Sequence, residues 1–299
     1  MTDASFALLE DRGIVAVSGP DRRVFLQGLV SNDVEKIVAD RAIYAALLTA
    51  QGKYLHDFIM VEHGEAIWLD AEAARLADLK RRLSMYRLRA KVELAERPDL
   101  AVAAVFGVGA ATALGLPAAA GSARPHAAGI LTIDPRLAAL GARAILPREI
   151  MHATLASLGV VEGDHAAYDC RRLALGVPDG SRDLVVDKSI LLESGFDELN
   201  GVDWQKGCYI GQELTARTKY RGLIKKRLFP VRITGEAPAP GTIVTHNSRD
   251  AGEMRSARDG IGLALLRLEA VDGCADLSAD TATITPIRPE WMQIPADEK

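Results

Sequence analysis

Cysteine is scarce in this chain: three in 299 residues, Cys170, Cys208 and Cys274. Odd in number and far apart, they make neither a disulfide framework nor a CxxC metal pair. Six histidines show no HxxxH or HExxH spacing, so a metal site built by this chain alone is not expected. No apolar run approaches the ~20 residues a membrane helix needs, so no membrane partner is expected. No GxGxxG or Walker pattern occurs, which leaves a nucleotide-binding α/β domain without support. Aromatic residues are 5% of the chain, too few to suggest the stacking platform of a single-strand binder. The opening residues MTDASFALLEDRG hold acids and lack a basic start and an apolar stretch. That argues against a secretory signal or an Arg-rich transit peptide and makes a cytoplasmic location the expectation.

Excess positive charge is also missing. A net charge of −4 gives no global drive toward a phosphate backbone, and direct nucleic-acid binding is not expected. Locally the picture differs. Six basic residues and no acid lie between Lys80 and Lys91, and another six with no acid lie between Arg217 and Arg227. Each run alone reads as a solvated face; together they form an anion site only if the fold makes them converge.

The remaining composition, 48% apolar and 25% charged, is that of a globular protein, and the length suits two or three packed units. Arg12 to Val17 reads as a strand. Ser18-Gly19-Pro20-Asp21 then opens a short helix through Phe25, Leu26 and Leu29. Ile43 to Thr49 and Leu55 to Val61 read as a hairpin across Gln51-Gly52-Lys53, with a third strand at Ala66 to Leu69. Leu76, Leu79, Leu83 and Tyr86 carry helical spacing, and Lys91 to Leu94 returns to strand. The stretch 107–129, rich in Ala, Gly and Pro, reads as irregular. Ala142 to Leu146 is a strand pattern; Arg148 to Leu158 and Tyr168 to Leu175 are helical. Strands interleaved with helices and hairpins point to an α+β architecture. Beyond Arg227 short β runs at 228–234, 243–245, 261–268 and 282–287, punctuated by Gly, Asp and Pro, predict a small antiparallel barrel or sandwich.

One loop concentrates reactive groups: Lys206-Gly207-Cys208-Tyr209-Ile210-Gly211-Gln212-Glu213. The glycines allow tight backbone geometry and close approach of a ligand. Gln212 onward has helical character, which sets Cys208 just before a helix N-terminus. There the exposed N–H groups, with Lys206, Arg217 and Lys219 nearby, favour a thiolate. On residues alone the plainer alternative stays open, since a lone cysteine is more often a small buried hydrophobe and two glycines often mark only a turn and a cap.

KGCYIGQE resembles the signature of the YgfZ/GcvT-like folate-binding family, which includes a mitochondrial iron–sulfur assembly factor. The resemblance extends to Phe25-Leu26-Gln27-Gly28 through Ser31-Asn32-Asp33-Val34, to Thr49–Phe58 (TAQGKYLHDF), to Tyr86–Val92 (YRLRAKV) and to Arg217–Leu228 (RTKYRGLIKKRL). It implies a GcvT-like multidomain ring with tetrahydrofolate in a central cavity. The implied division is a discontinuous folate-binding core of residues 1–40 and 100–226, an inserted subdomain of 41–99 and a barrel of 227–299. It also implies a role in maturing or repairing iron–sulfur enzymes, tRNA-modifying ones included, through client or assembly proteins. By the same resemblance Cys208 is the important thiol. Lys206, Gly207, Tyr209, Gly211, Gln212, Glu213, Arg217 and Arg221 become candidate folate contacts.

Two departures qualify the transfer. Aminomethyltransferases resemble the chain around Arg172-Leu173 but carry a pterin-binding Glu where Ala174 stands. A family segment reading roughly Pro-Leu-Glu-Ala-Asn appears as Leu191-Leu192-Glu193-Ser194-Gly195. Glu193 survives, and a carboxylate can accept two hydrogen bonds from an aminopyrimidine, which makes it the pterin ligand expected here. A folate-binding accessory factor for iron–sulfur proteins is thus favoured over a tetrahydrofolate-dependent aminomethyl or one-carbon transferase. An RNA-binding module, suggested only by the basic runs, comes third.

Overall fold

The computed structural model describes residues 3–222, 224–271 and 277–294. Cys274 lies outside the described residues. By internal packing the chain divides into two units: Met1–Leu48, Leu55–Tyr168 and Leu199–Ile210 form one; Thr49–Tyr54, Asp169–Glu198 and Gly211–Lys299 form the other.

The first unit carries two sheets. A six-stranded sheet runs in the order Val161–Glu162, Ser5–Leu8, Leu100–Phe106, Ala142–Pro147, Gly129–Ile133, Ala123–His126. Only its first pair is parallel. Its centre, Leu100–Phe106 (LAVAAVF), is buried at every position. A strand covered on both faces shows no polar alternation, which is why periodicity alone did not single it out. The 107–129 stretch, which reads as irregular, contributes a short helix, Ala110–Ala113, and the edge strand Ala123–His126.

The second sheet runs Ile43–Leu48, Tyr54–His63, Ala66–Glu72, Arg12–Ser18, Glu93–Glu96. It draws on Arg12–Ser18 as well as on strands of the 41–99 segment. Helix Leu76–Tyr86 buries Leu79 and Leu83, one turn apart, as their spacing predicts. A Cβ on Gly13 would come within 2.8 Å of Leu76 Cδ1, so the strand's small residue marks where this helix packs.

A chain of buried ions joins the two sheets. Arg12 Nε lies 2.7 Å from Asp70 Oδ1, and Arg143 Nη1 lies 2.9 Å from Asp70 Oδ2. Arg143 Nε and Arg136 Nη2 then meet Asp134 Oδ2 at 3.3 and 2.8 Å. The arginines hold the Asp134 carboxyl at about 2 despite its burial. Such a chain adds little net stability over an apolar core, but losing one member strands a buried charge.

In the second unit six antiparallel strands close into a barrel: Lys226–Thr234, Ile261–Arg267, Arg249–Arg258, Ile243–His246, Leu277–Ala279 and Ala282–Pro286, the last pairing with the first. The sequence left barrel and sandwich open; closure decides for the barrel by leaving no free edge. Phe229, Val231, Met254, Leu266 and Ile284 fill the interior. Arg172 ties the helical segment to the barrel. It meets Asp169 and Asp183 at 2.7 Å each and donates to Ser256 Oγ at 3.0 Å. No helix among the described residues is long and apolar enough to cross a membrane.

Candidate functional site

The signature octapeptide is shared between the units. Lys206, Gly207, Cys208, Tyr209 and Ile210 belong to the first; Gly211, Gln212 and Glu213 to the second.

In the first unit the loop is a knot with the 27–34 segment, and Lys206 is its centre. Its Nζ donates to the carbonyl oxygens of Gln27 (2.9 Å), Val30 (2.6 Å) and Asn32 (2.8 Å). Three donors meet three acceptors, which leaves no N–H for a ligand carboxylate. Lys206 therefore shapes the loop and has no N–H left over as a ligand contact. The ammonium also lies 5.1 Å from the Tyr209 ring centroid, and Tyr209 is buried. Burial pushes Lys206 down to about 8 while Asp33 and Asp203 pull it up, so it stays charged at neutral pH.

Residues that carry no chemistry of their own complete the knot. Asp203 Oδ1 accepts from the backbone N–H of Gln205 (2.7 Å) and Lys206 (2.9 Å), while Oδ2 pairs with Lys36. Ser31 Oγ donates to the Gly201 carbonyl, and Asn32 Nδ2 to the carbonyls of Tyr44 and Asn200. Gln27 reaches Asp33 Oδ1 and the Val34 N–H. Ile210 N–H bonds the Gly28 carbonyl at 3.2 Å. The two sequence blocks, nearly 180 residues apart, are thus halves of one structure; the resemblance marked both but not their contact.

Held by this frame, Cys208 is exposed, as is Gly207. A Cβ on Gly207 would meet nothing within 4 Å, and its φ is not positive, so no conformational need explains that glycine. Gly211 is the opposite case: φ is +80° at the cap of helix Gln212–Tyr220. Of the two glycines, only Gly211 answers to tight geometry.

In the second unit the Gln51-Gly52-Lys53 turn packs on the start of that helix. Gly52 has φ +81°, and a Cβ there would lie 2.6 Å from the Gly211 carbonyl oxygen and from Leu214 Cβ. Thr49 N–H and Lys53 C=O close the turn at 2.8 Å. Glu193 sits in the short 3-10 turn Leu192–Ser194. It is half-buried and has no hydrogen-bond partner among the described residues. Burial raises its carboxyl, against the opposing fields of Lys226 and Lys53. Lys53 is a neighbour of Glu193 that its place in a hairpin turn did not reveal. Ala174 ends helix His165–Ala174 as an exposed methyl group.

The basic runs are less basic than their sequence. Lys80 pairs with Glu96 at 2.6 Å, and Arg81 and Arg82 with Asp78 at 2.5 and 2.7 Å. Arg227 is buried against Glu198, and Lys219 pairs with Asp197. Arg217 and Arg221 stay exposed, without an ion-pair partner among the described residues, as does Glu213; Gln212 is half-buried.

Comparison with known proteins gives three findings. Residues 225–294 match the family described as the CAF17 C-terminal beta-barrel domain, the same segment that closes here. The mitochondrial iron–sulfur cluster assembly factor IBA57 of Homo sapiens is 36% identical over 308 residues, covering 95% of this chain and 84% of that protein; its Mus musculus counterpart is 35% identical with the same coverage. The glycine cleavage system aminomethyltransferase T from Bartonella henselae superimposes with a TM-score of 0.79 over 98% of this chain and 87% of the other, at 15% identity. That last likeness establishes a GcvT-like fold.

Proposed function

Because this chain belongs to the IBA57 family of iron–sulfur cluster assembly factors, we propose that it supports assembly or repair of iron–sulfur enzymes, tRNA-modifying ones among them, using the exposed Cys208 thiol and a bound reduced folate. The observation that carries this reading is Cys208 itself. Its sulfur stands in solvent on a loop whose frame is pinned by the three carbonyl bonds of Lys206. A single thiolate is too few to hold a cluster, so the remaining ligands come from a client or assembly protein. Ligation costs the thiol its proton. The open space at Gly207 lets a partner's backbone come close.

Glu193 supports the folate half. A half-buried carboxylate without a hydrogen-bond partner has lone pairs ready for the 2-amino and ring N–H groups of a pterin. Lys53 and Lys226 favour its ionised form. Bound there, a reduced folate supplies one-carbon or redox capacity. The transferase reading is weaker, because Ala174 offers no carboxylate where transferases of this fold bind the pterin.

Two measurements test the proposal. Cys208→Ser should fail to rescue an iron–sulfur maturation defect while its thermal melt is unchanged; full rescue removes the thiol from the mechanism. Calorimetry with tetrahydrofolate should show binding that weakens about tenfold or more in Glu193→Gln, the loss of one charged acceptor. Absence of heat with the parent chain rejects the folate half and leaves the Cys208 half standing.

A further inference from the structure

Leu88, in the turn after helix Leu76–Tyr86 of the first unit, breaks two rules at once. It is 90% exposed, and its φ is +41°. We propose that this turn is a docking tip for an acidic protein partner: Leu88 enters an apolar socket on that partner, and Arg87 and Arg89 pair with carboxylates at the socket's rim.

Nothing inside the chain accounts for the leucine. The Ala90 N–H bonds the Arg87 carbonyl at 2.7 Å, which puts Leu88 at the first central position of a four-residue turn. A left-handed backbone there is usually given to Gly, Asn or Asp, because a bulky side chain is strained. Nor is the turn loosely held. Just after it the Lys91 N–H donates to Asp21 Oδ2 at 2.7 Å, and Val92 is buried. Gly19 has φ +100°, and a Cβ there would lie 2.2 Å from the Lys91 carbonyl oxygen, so main chain meets main chain at that point. The turn carries a left-handed leucine on a fixed base, and almost no burial of its side chain offsets the strain. A single exposed apolar residue is ordinary. Here Met85 and Tyr86 are exposed as well, at the end of the helix, so the apolar exposure is a stretch of chain.

Charge identifies the occupant. Lys80, Arg81 and Arg82 of this basic run are paired with Glu96 and Asp78. Arg87, Arg89 and Lys91 are exposed and have no ion-pair partner among the described residues. A helix C-terminus favours one cation, which accounts for Arg87 but not for Arg89 or the leucine between them. A guanidinium group takes a carboxylate side-on through two parallel N–H bonds, so two of them flanking an apolar tip match a socket with an acidic rim. A nucleic-acid backbone would satisfy the charges and leave Leu88 in water. An anionic membrane would cover the leucine, but such surfaces are held by clusters of about four to eight cations, more than this turn presents unpaired. The occupant is accordingly a protein. The tip acts independently of the Cys208 thiol and of any folate.

The test is photo-crosslinking with the full chain in the organism that encodes it. p-Benzoylphenylalanine replaces Leu88, and in a control it replaces Ile243, an exposed apolar residue of the barrel. The Leu88 position should give a protein adduct that the control does not, and mass spectrometry should place it in a segment with apolar residues beside Asp or Glu. That partner, purified, should bind the parent chain in calorimetry with an affinity that falls as salt rises. Leu88→Asn, which suits a left-handed backbone, should weaken binding about tenfold or more while the melting temperature stays the same or rises. Arg87→Glu combined with Arg89→Glu should weaken it at least as much. Adducts with lipid or RNA alone, an adduct in a segment without acids, or none beyond the control would overturn the proposal. Binding untouched by either change would do the same. So would a lower melting temperature in Leu88→Asn, which would mean that the leucine serves the fold.

Discussion

Lys206 Nζ lies 2.6 Å from the carbonyl oxygen of Val30, joining positions 176 residues apart. With Gln27 and Asn32 taking the other two hydrogens, the lysine holds the Cys208 loop onto the 27–34 segment. Lys206→Met keeps most of the apolar stem but leaves three carbonyls without a donor. It should cost about 3 kcal/mol in urea unfolding. Amide exchange over residues 203–210 should accelerate. A loss below about 1 kcal/mol with protection unchanged would assign the loop's order to Asp203 and Ser31 instead.

The two signature glycines should respond differently to alanine. Gly211→Ala forces a Cβ into a left-handed backbone at φ +80° and should cost about 1 kcal/mol or more. Gly207→Ala places its methyl in open space and should change stability by no more than about 0.5 kcal/mol. If the Gly207 variant is nonetheless inactive with a client protein, close approach of a partner explains that glycine; full activity removes it from the site.

Burial lowers His56 to about 4, with Arg75 adding to the shift and Asp78 opposing it. The unfolded chain, with histidine near 6.5, therefore binds the proton first as pH falls. Stability from this group is complete above about pH 6.5 and is lost as pH drops toward 4. Urea midpoints should fall through that window, by up to about 3 kcal/mol in free energy, and the fall should flatten in His56→Gln. An identical slope in the variant would assign the acid loss to carboxylates.

Cys208 and Cys170 should label in that order. Cys208 is exposed, whereas Cys170 is partly buried and its thiol is pushed up, first by burial and then by its hydrogen bond to Asp259. Limited N-ethylmaleimide at pH 7 followed by peptide mass spectrometry should find Cys208 modified first. Equal rates would contradict the difference in access.

Asp70→Asn tests the ion chain between the sheets of the first unit. Asp70 receives Arg12 and Arg143, and the amide leaves both buried guanidinium groups undercompensated. A loss of about 3–5 kcal/mol is expected. Asp99→Asn, which loses an exposed pair with Arg97, should change stability by less than about 1 kcal/mol and serves as the comparison.

Much of the fold could be read along the chain because its signals are local. The Gly52 turn, the Leu79/Leu83 helix face and the Gly- and Pro-punctuated strands after Arg227 each lie within a few positions of the residues they organise. Leu100–Phe106 escaped because burial on both faces erases the alternation that identifies a strand. How far the basic runs are neutralised could not be read, for the reverse reason. Their neutralising acids, Glu96, Glu198 and Asp197, lie outside the runs and meet them only after folding.

Sequence alone singled out the candidates: one cysteine between glycines, one surviving carboxylate at Glu193, and an alanine where a transferase would place an acid. Only tertiary structure decided what each can do. It put the Cys208 sulfur in solvent, spent Lys206 on main-chain carbonyls, and set Lys53 opposite Glu193. Hydrogen bonds and electric fields act over a few ångströms in space, and a one-dimensional pattern carries no record of which distant segments come that close.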